Sequence, residues 1–294
     1  MSLKSKLFLL FGIILIAIAI YWKRSSIVYP PLNQSRLLLT KIREGDYAHA
    51  GDREAIDLIL ARVTYYLQQK KSAQVPESSP EDLYKNTKTL DVGCGFGGTA
   101  DYLYSKGFHN IRGFDIDKAS IDYASLKYPR VNFSVDDVRN ITHRFEKNSF
   151  SLIYLFNTFY ALSDQPQALN DLAEIAEPGA ILVIFDYSYL QQNKSHGLKD
   201  LLGNKMRPIV IGPLRKWLDQ AGWEILEETD LSQHFIRWYW DLLKKLELRE
   251  TIFLKEFSED LINKFYKVYA DILKELNEQV LGGIVVYAKR KPSI

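Results

Sequence analysis

The stretch Leu90-Asp91-Val92-Gly93-Cys94-Gly95-Phe96-Gly97-Gly98 is the part of this 294-residue chain best suited to chemistry. A strand that turns through glycines into a helix lets a ligand come close to the backbone, because the turn needs unusual dihedrals and side chains would block the site. Gly93-x-Gly95-x-x-Gly98 also satisfies a dinucleotide fingerprint, so the glycines alone leave nicotinamide and adenosyl ligands both open. Asp91, two residues before the first glycine, is awkward beside a pyrophosphate and well placed to hold the ammonium of an amino acid. Further acids follow two later apolar runs: Asp115 and Asp117 after Ile111-Arg112-Gly113-Phe114, and Asp136 and Asp137 after Val131-Asn132-Phe133-Ser134-Val135. One aspartate after a strand is an ordinary turn former or helix cap. Three such acids beside one glycine loop point to a ligand. Upstream, Gly45-Asp46-Tyr47-Ala48-His49-Ala50-Gly51 offers Tyr47 and His49. A histidine titrating near neutral pH suits a general base, although a lone loop histidine equally suits a structural hydrogen bond.

The elements that must position these residues follow from the apolar pattern. From Lys88 onward short apolar runs alternate with longer amphipathic segments, which predicts βαβ units and a parallel sheet. Strands are expected at 89–92, 111–115, 131–135, 152–156 and 180–186, with helices at 98–106, 118–127 and 167–177 between them. Pro178-Gly179 reads as a stop and turn before the fifth strand. A helix at 213–221, a strand at 223–229 and a last strand at 283–288 complete the sheet, with a helical insertion over 235–280. Before the core, helices are expected at 37–42 and 53–69, and the polar stretch 70–82 reads as a loop.

Together these pieces resemble the class I S-adenosylmethionine-dependent methyltransferases over most of residues 89–183. The resemblance implies an α/β, Rossmann-like, doubly wound seven-stranded sheet, mostly parallel with an antiparallel last strand. It implies S-adenosylmethionine as cofactor, with Asp91, Gly93, Gly95 and Gly97 around its amino-acid end and Asp115 with Ile116 at the ribose. Asp137 would receive the adenine amino group, with Asp136 as the alternative, and Val138 would lie against the ring. Asn157, at the exit of the fourth strand, would lie beneath the methyl donor, with Tyr160 close by. Among small-molecule members such as the glycine/sarcosine and phosphoethanolamine types, a segment like Gly45-to-Gly51 folds over the donor. This makes Tyr47, His49 and Tyr160 the catalytic candidates. The histidine that phosphoethanolamine enzymes carry after the fourth strand has no match, since Tyr160 and Ala161 stand there. The implied reaction is direct methyl transfer to an amine or hydroxyl of a small molecule. The competing readings are a membrane lipid or quinone methyltransferase, a non-catalytic S-adenosylmethionine-binding module and, more remotely, a nicotinamide enzyme.

Composition bounds the partners. A net charge of +2 does not supply the basic surface that nucleic acid requires. The single Cys94 excludes an intramolecular disulfide, and five scattered histidines do not form a ligand set, so no metal is expected. Residues 7–22, LFLLFGIILIAIAIYW, carry no charge and are bracketed by Lys4 and Lys6 before and Lys23 and Arg24 after. At 1.5 Å per residue this run covers about 24 Å of a hydrocarbon core about 30 Å thick, and Tyr21 and Trp22 suit the interface. No small-x-small cleavage pattern follows, so an uncleaved single-pass anchor over 1–26 is expected, with a cytoplasmic catalytic domain on the charge balance. Residues 27–82 then form a linker and helical lid segment, and 83–294 the methyltransferase domain. The acceptor is a small or lipid-like molecule.

Overall fold

The computed structural model describes residues 31–72, 80–195 and 197–292. Side-chain alternation organises its centre. Along β4 (Phe150–Phe156), Leu152, Tyr154 and Phe156 enter one core, while Ile153 and Leu155 enter the other. In β5 (Ala176–Tyr189), Ile181, Val183 and Phe185 share the first core and Leu182 and Ile184 the second. A strand with a two-residue repeat that is covered on both faces must be apolar throughout, which is why these strands read as unbroken apolar runs.

Around them, β1 (Thr89–Val92), β2 (Ile111–Asp115), β3 (Asn132–Val135), β6 (Trp223–Asp230) and β7 (Leu281–Arg290) complete a seven-stranded sheet in the order β3-β2-β1-β4-β5-β7-β6. The first five strands pair in parallel, and β7 runs antiparallel to both β5 and β6. This is the expected Rossmann-like sheet. The strand order reverses between β1 and β4, and in open sheets of this kind ligands bind outside the carboxyl ends at such a reversal.

Helices cover both faces. The first core receives Ile56, Ile59 and Val63 from α2 (Asp52–Ser72), after α1 (Gln34–Arg43), and Leu103 from α4 (Gly98–Ser105), which follows the short α3 (Pro80–Lys85). After α5 (Lys118–Lys127) and α6 (Ile141–Arg144), the second core receives Leu169 and Leu172 from α7 (Gln165–Ile175) and Leu214 and Leu218 from α8 (Ile211–Gln220). The stretch between β6 and β7 folds as α9 (Ser232–Phe253) and α10 (Glu259–Asn277). Phe235, Trp238 and Tyr239 of α9 are buried in the first core, whereas Trp240 is exposed.

Three features differ from the expected outline. Pro178-Gly179 lies inside β5 instead of preceding it. The strand starts at Ala176 against Phe150, slips through a bulge where Gly179 takes φ 75°, and resumes at Ile181 against Leu152. β5 also runs past Asp186 to Tyr189, because β7 continues to pair with it there. Finally, α3 occupies part of the stretch expected to be loop. The expected anchor over 1–26 lies outside the described residues. Among the described residues no helix is long and apolar enough to cross a membrane.

The N-terminal segment is tied to the sheet end. Asn33 caps α1 by accepting from the Ser35 and Arg36 amides, and Glu44 ends the helix at φ 56°. The chain then passes over the glycine loop so closely that a Cβ on Gly98 would lie 2.5 Å from the Asp46 carbonyl oxygen. The buried Asp46 carboxylate accepts from the Tyr128 hydroxyl at 2.6 Å and pairs with Lys127 Nζ at 2.6 Å, which fastens the segment to α5.

Candidate active site

A cleft of about 410 Å³ opens at the carboxyl ends of β1, β2 and β4. Its centre is the loop after β1. The Gly93 and Cys94 amides both donate to the Phe114 carbonyl, at 2.9 and 3.0 Å, which binds the loop to β2. Gly93, Gly95 and Gly97 all have positive φ. They are not equivalent. A Cβ on Gly93 would strike Thr158 at 2.4 Å and one on Gly97 would strike Phe133 at 2.6 Å, so these two serve close packing. A Cβ on Gly95 would meet only Ala48, at 3.9 Å, and Gly95 lines the cleft, so this glycine leaves room for a ligand.

Asp115 completes the loop from β2. Its Oδ2 accepts from the Gly95 amide at 2.9 Å and its Oδ1 from the Asp117 amide at 2.9 Å. A carboxylate has about four lone-pair sites, so two acceptor positions remain for hydroxyls in the cleft. Ile116 beside it is 71% exposed and also lines the cleft. At the far end stand Asp136, Asp137 and Val138. The carboxylate of Asp137 accepts from the Arg139 amide at 3.0 Å and pairs with its guanidinium, which together hold it below the ordinary carboxylate range. Asp136 pairs with Arg144 at 3.0 Å. Arg36 of α1 reaches this end of the cleft and donates to the Ser120 hydroxyl at 2.8 Å.

Asp91 lies beneath the loop, off the cleft wall. It is 3% exposed, and neither its Oδ2 nor the neighbouring Tyr154 hydroxyl meets hydrogen-bond geometry with any described residue. Burial raises its pKa to about 8. The Tyr154 hydroxyl beside it nonetheless offsets part of that rise by hydrogen bonding, and a cationic group reaching the carboxylate through the loop would favour its charged form further. The space at Gly95, the free acceptor positions of Asp115 and the buried Asp91 carboxylate fit a ligand with an amino-acid end and a hydroxylated ring.

The other half of the cleft begins at Asn157, which takes φ 46°, and Thr158. Tyr160, Tyr187 and Tyr269 line it, together with the apolar Leu39, Leu201, Leu202, Met206 and Ile272. Burial pushes the Tyr160 and Tyr187 phenols well above their usual range and Tyr269 up to about 12, so all three are neutral donors at physiological pH. Tyr187 also hydrogen-bonds Tyr239 of α9, whose ring stacks on Tyr269.

Of the residues expected from the sequence, the cleft brings together Gly93, Gly95, Asp115, Ile116, Asp137, Val138, Asn157 and Tyr160. Gly97, Asp91, Tyr47 and His49 are not on its wall. His49 is 2% exposed; Nδ1 lies 2.9 Å from the Ala50 carbonyl and Nε2 lies 3.0 Å from the Thr99 hydroxyl. A carbonyl can only accept, so Nδ1 carries the proton of the neutral ring and Nε2 accepts from Thr99. Burial lowers its pKa to about 4. The Tyr47 hydroxyl accepts from Arg53 Nε at 2.8 Å, and its pKa is raised, by burial first. Tyr187, Tyr269 and the stretch around Met206 were not foreseen. Residues 190–210 have no periodicity to read, and Tyr269 sits on the inward stripe of a helix with the core residues Ile262 and Phe265.

A family described as "Methyltransferase domain" matches residues 90–184. The chain is 26% identical over 189 residues to phosphoethanolamine N-methyltransferase 1 of Triticum aestivum, covering 61% of this chain and 36% of that protein. It is 26% identical over 151 residues to the 2-methyl-6-phytyl-1,4-hydroquinone methyltransferase of Synechocystis, covering 49% of this chain and 45% of that protein. It therefore spans less than half the length of these relatives. Among solved structures, phosphoethanolamine N-methyltransferase 2 of Haemonchus contortus, in complex with phosphomonomethylethanolamine and S-adenosylhomocysteine, shares the fold. Its TM-score is 0.61 at 18% identity, over 78% of this chain and 53% of that one.

Proposed function

We propose that this chain carries a class I S-adenosylmethionine-dependent methyltransferase domain and transfers the methyl group of that cofactor to an amine or hydroxyl of a small molecule. The observation that carries this reading is the continuity of the cleft. It runs from Gly95 and Asp115, past Asn157 and Thr158, to the three tyrosines, so donor and acceptor halves share one space. A volume of about 410 Å³ lies in the ordinary range for small-molecule sites.

The cofactor, when bound, supplies a methyl carbon already activated by the sulfonium charge. The chain's part is to hold, orient and exclude water. Asp115 would offer its two remaining acceptor positions to the ribose hydroxyls beside Ile116, Val138 would lie against the adenine, and Asp137 would receive its amino group. Asp91, beneath the loop, attracts the cofactor's ammonium end. Alignment of two reactants in one site can by itself supply about 7–11 kcal/mol of a barrier. His49 does not face the acceptor, and the Tyr160 phenol stays protonated at neutral pH, so Tyr160 acts as a hydrogen-bond donor that orients the acceptor.

A lipid or quinone acceptor is the second reading. The apolar wall of Leu39, Leu201, Leu202, Met206 and Ile272 favours it, as do the expected anchor and the resemblance to a hydroquinone methyltransferase. The test is isothermal titration with adenosylhomocysteine and, separately, NAD, followed by transfer of labelled methyl to soluble amines or to quinols. Adenosylhomocysteine should bind, and Asp115→Ala should weaken it by at least about tenfold, since two charge-assisted hydrogen bonds are lost. Binding of NAD alone would overturn the reading; labelled quinol with unlabelled amines would select the second acceptor class.

A further inference from the structure

Asp186 ends the apolar run of β5 and is fully buried, at 0% exposure, directly behind the turn that floors the cleft. A bare carboxylate in that position would be strongly disfavoured. It is instead surrounded by donors. Oδ2 accepts from the Tyr160 amide at 3.0 Å, and Oδ1 accepts from its neighbour's amide, Tyr187, at 2.7 Å and from Asn157 Nδ2 at 3.4 Å. The other end of the same Asn157 amide, Oδ1, accepts from the Ala50 amide at 2.8 Å. Asn157 holds φ 46°, a left-handed conformation that asparagine adopts more readily than most residues.

We infer that Asp186 is a positioning residue for the donor half of the cleft: its carboxylate orients the Asn157 amide and so ties the cleft floor to the N-terminal segment covering the glycine loop. The polarity of the chain of contacts supports this. A carboxylate only accepts, so it selects the nitrogen end of Asn157 and leaves the oxygen end for Ala50. Ala50 stands one residue beyond His49, whose ring is fastened to Thr99 of α4, and two beyond Ala48, which lines the cleft opposite Gly95. The orientation of one amide thus determines whether the covering segment and the floor enclose the same space. An asparagine at 186 has the same shape but only one acceptor atom for three donors. Asp186 does not itself line the cleft, so it acts through the lining residues Asn157 and Tyr160.

The inference rests on the reading of this cleft as the donor site, and the experiment separates the two. The full chain, in detergent micelles, is titrated with adenosylhomocysteine at about pH 6 and about pH 8. Burial raises the pKa of Asp186 to about 7. The titratable groups that interact with it are the Tyr160 and Tyr239 phenols, both raised by burial and neutral in this window. Protonation at low pH converts one acceptor into a donor, so affinity should fall on acidification. Asp186→Asn should bind adenosylhomocysteine about tenfold more weakly at the higher pH, the factor that about 1.4 kcal/mol represents. It should also reduce the ratio of the two affinities. That ratio is used because Asp91 titrates in the same window in both proteins.

Asn157→Asp provides the second variant. It sets two carboxylates side by side, so its affinity should rise on acidification, opposite to wild type. No binding by wild type would defeat the cofactor reading itself. Binding by wild type, with an unchanged pH ratio in Asp186→Asn and no rise on acidification in Asn157→Asp, would defeat only the positioning role.

Discussion

Asp91 and His49 are both buried ionisable residues beside the glycine loop, and burial drives each toward its neutral form. Their effects on stability have opposite signs. An acid whose folded pKa is raised binds its proton more tightly in the folded than in the unfolded chain, so its contribution declines as pH rises from about 4 through about 8. Asp91→Asn removes that decline. The variant should therefore match wild type near pH 4 and exceed it near pH 9 in thermal midpoint, by about 2–4 °C for each kcal/mol in a domain of this size. Its adenosylhomocysteine affinity should fall in the same experiment. Scanning calorimetry at the two pH values checks the difference, and a variant equally or less stable at high pH would show that a partner already neutralises Asp91. The histidine illustrates what spacing cannot show. Residues 45–51 place His49 near the loop, but only the Ala50 carbonyl and Thr99 hydroxyl at its two nitrogens show that neither is free to take a proton from an acceptor. Asp115 was legible because its chemistry comes from its place at a strand end. Asp186 lies inside β5, yet two of the donors around it, the Tyr160 and Asn157 amides, come from the β4 exit, which no local pattern connects to it.

At the scale of elements, the four glycines of the loop divide the work, and substitution separates them. Gly95→Ala meets open space but must hold φ 52°, which costs an L-residue about 1–2 kcal/mol. It also puts a methyl into the cleft. The expected outcome is a modest loss of stability and a large loss of adenosylhomocysteine binding. Gly98→Ala begins α4, and its methyl would approach the Asp46 carbonyl to 2.5 Å, a backbone atom that moves only with the whole covering segment. Residues 46–51 should then exchange their amide hydrogens faster, while β1 to β5 keep their protection. Hydrogen-exchange mass spectrometry distinguishes the two, and equal exchange over 46–51 in Gly98→Ala and wild type would refute the close approach. The sheet itself was readable because buried parallel strands must be apolar on both faces. The β5 bulge was not. Pro178-Gly179 is a strong local stop signal, and only pairing with Phe150 on one side and Leu152 on the other keeps both residues within the strand.

For the whole molecule, the two acceptor classes place different demands on the chain. A soluble amine can reach the tyrosine-lined half of the cleft from water, whereas a quinone or lipid gains from a catalyst held at the bilayer, where its own concentration is high. Residues 7–22 supply a run with no charge and basic flanks, and we propose that they anchor the chain in a single pass. Lys23, Arg24 and Arg36 against Lys4 and Lys6 favour the carboxyl side in the cytoplasm. A span of about 24 Å in a core of about 30 Å is short, so retention depends on Tyr21, Trp22 and the flanking lysines reaching the interfaces. The full chain should therefore stay in the membrane pellet after alkaline carbonate extraction, and a form lacking residues 1–26 should be released while keeping its adenosylhomocysteine affinity. Methyl transfer then gives the functional reading of the same pair. Equal rates on soluble amines with and without the run would assign the anchor to location alone. A loss of activity on vesicle-borne quinol, with amine activity absent in both forms, would make the bilayer part of substrate delivery. Release of the full chain by carbonate would remove the anchor, and with it the main argument for an acceptor drawn from the membrane.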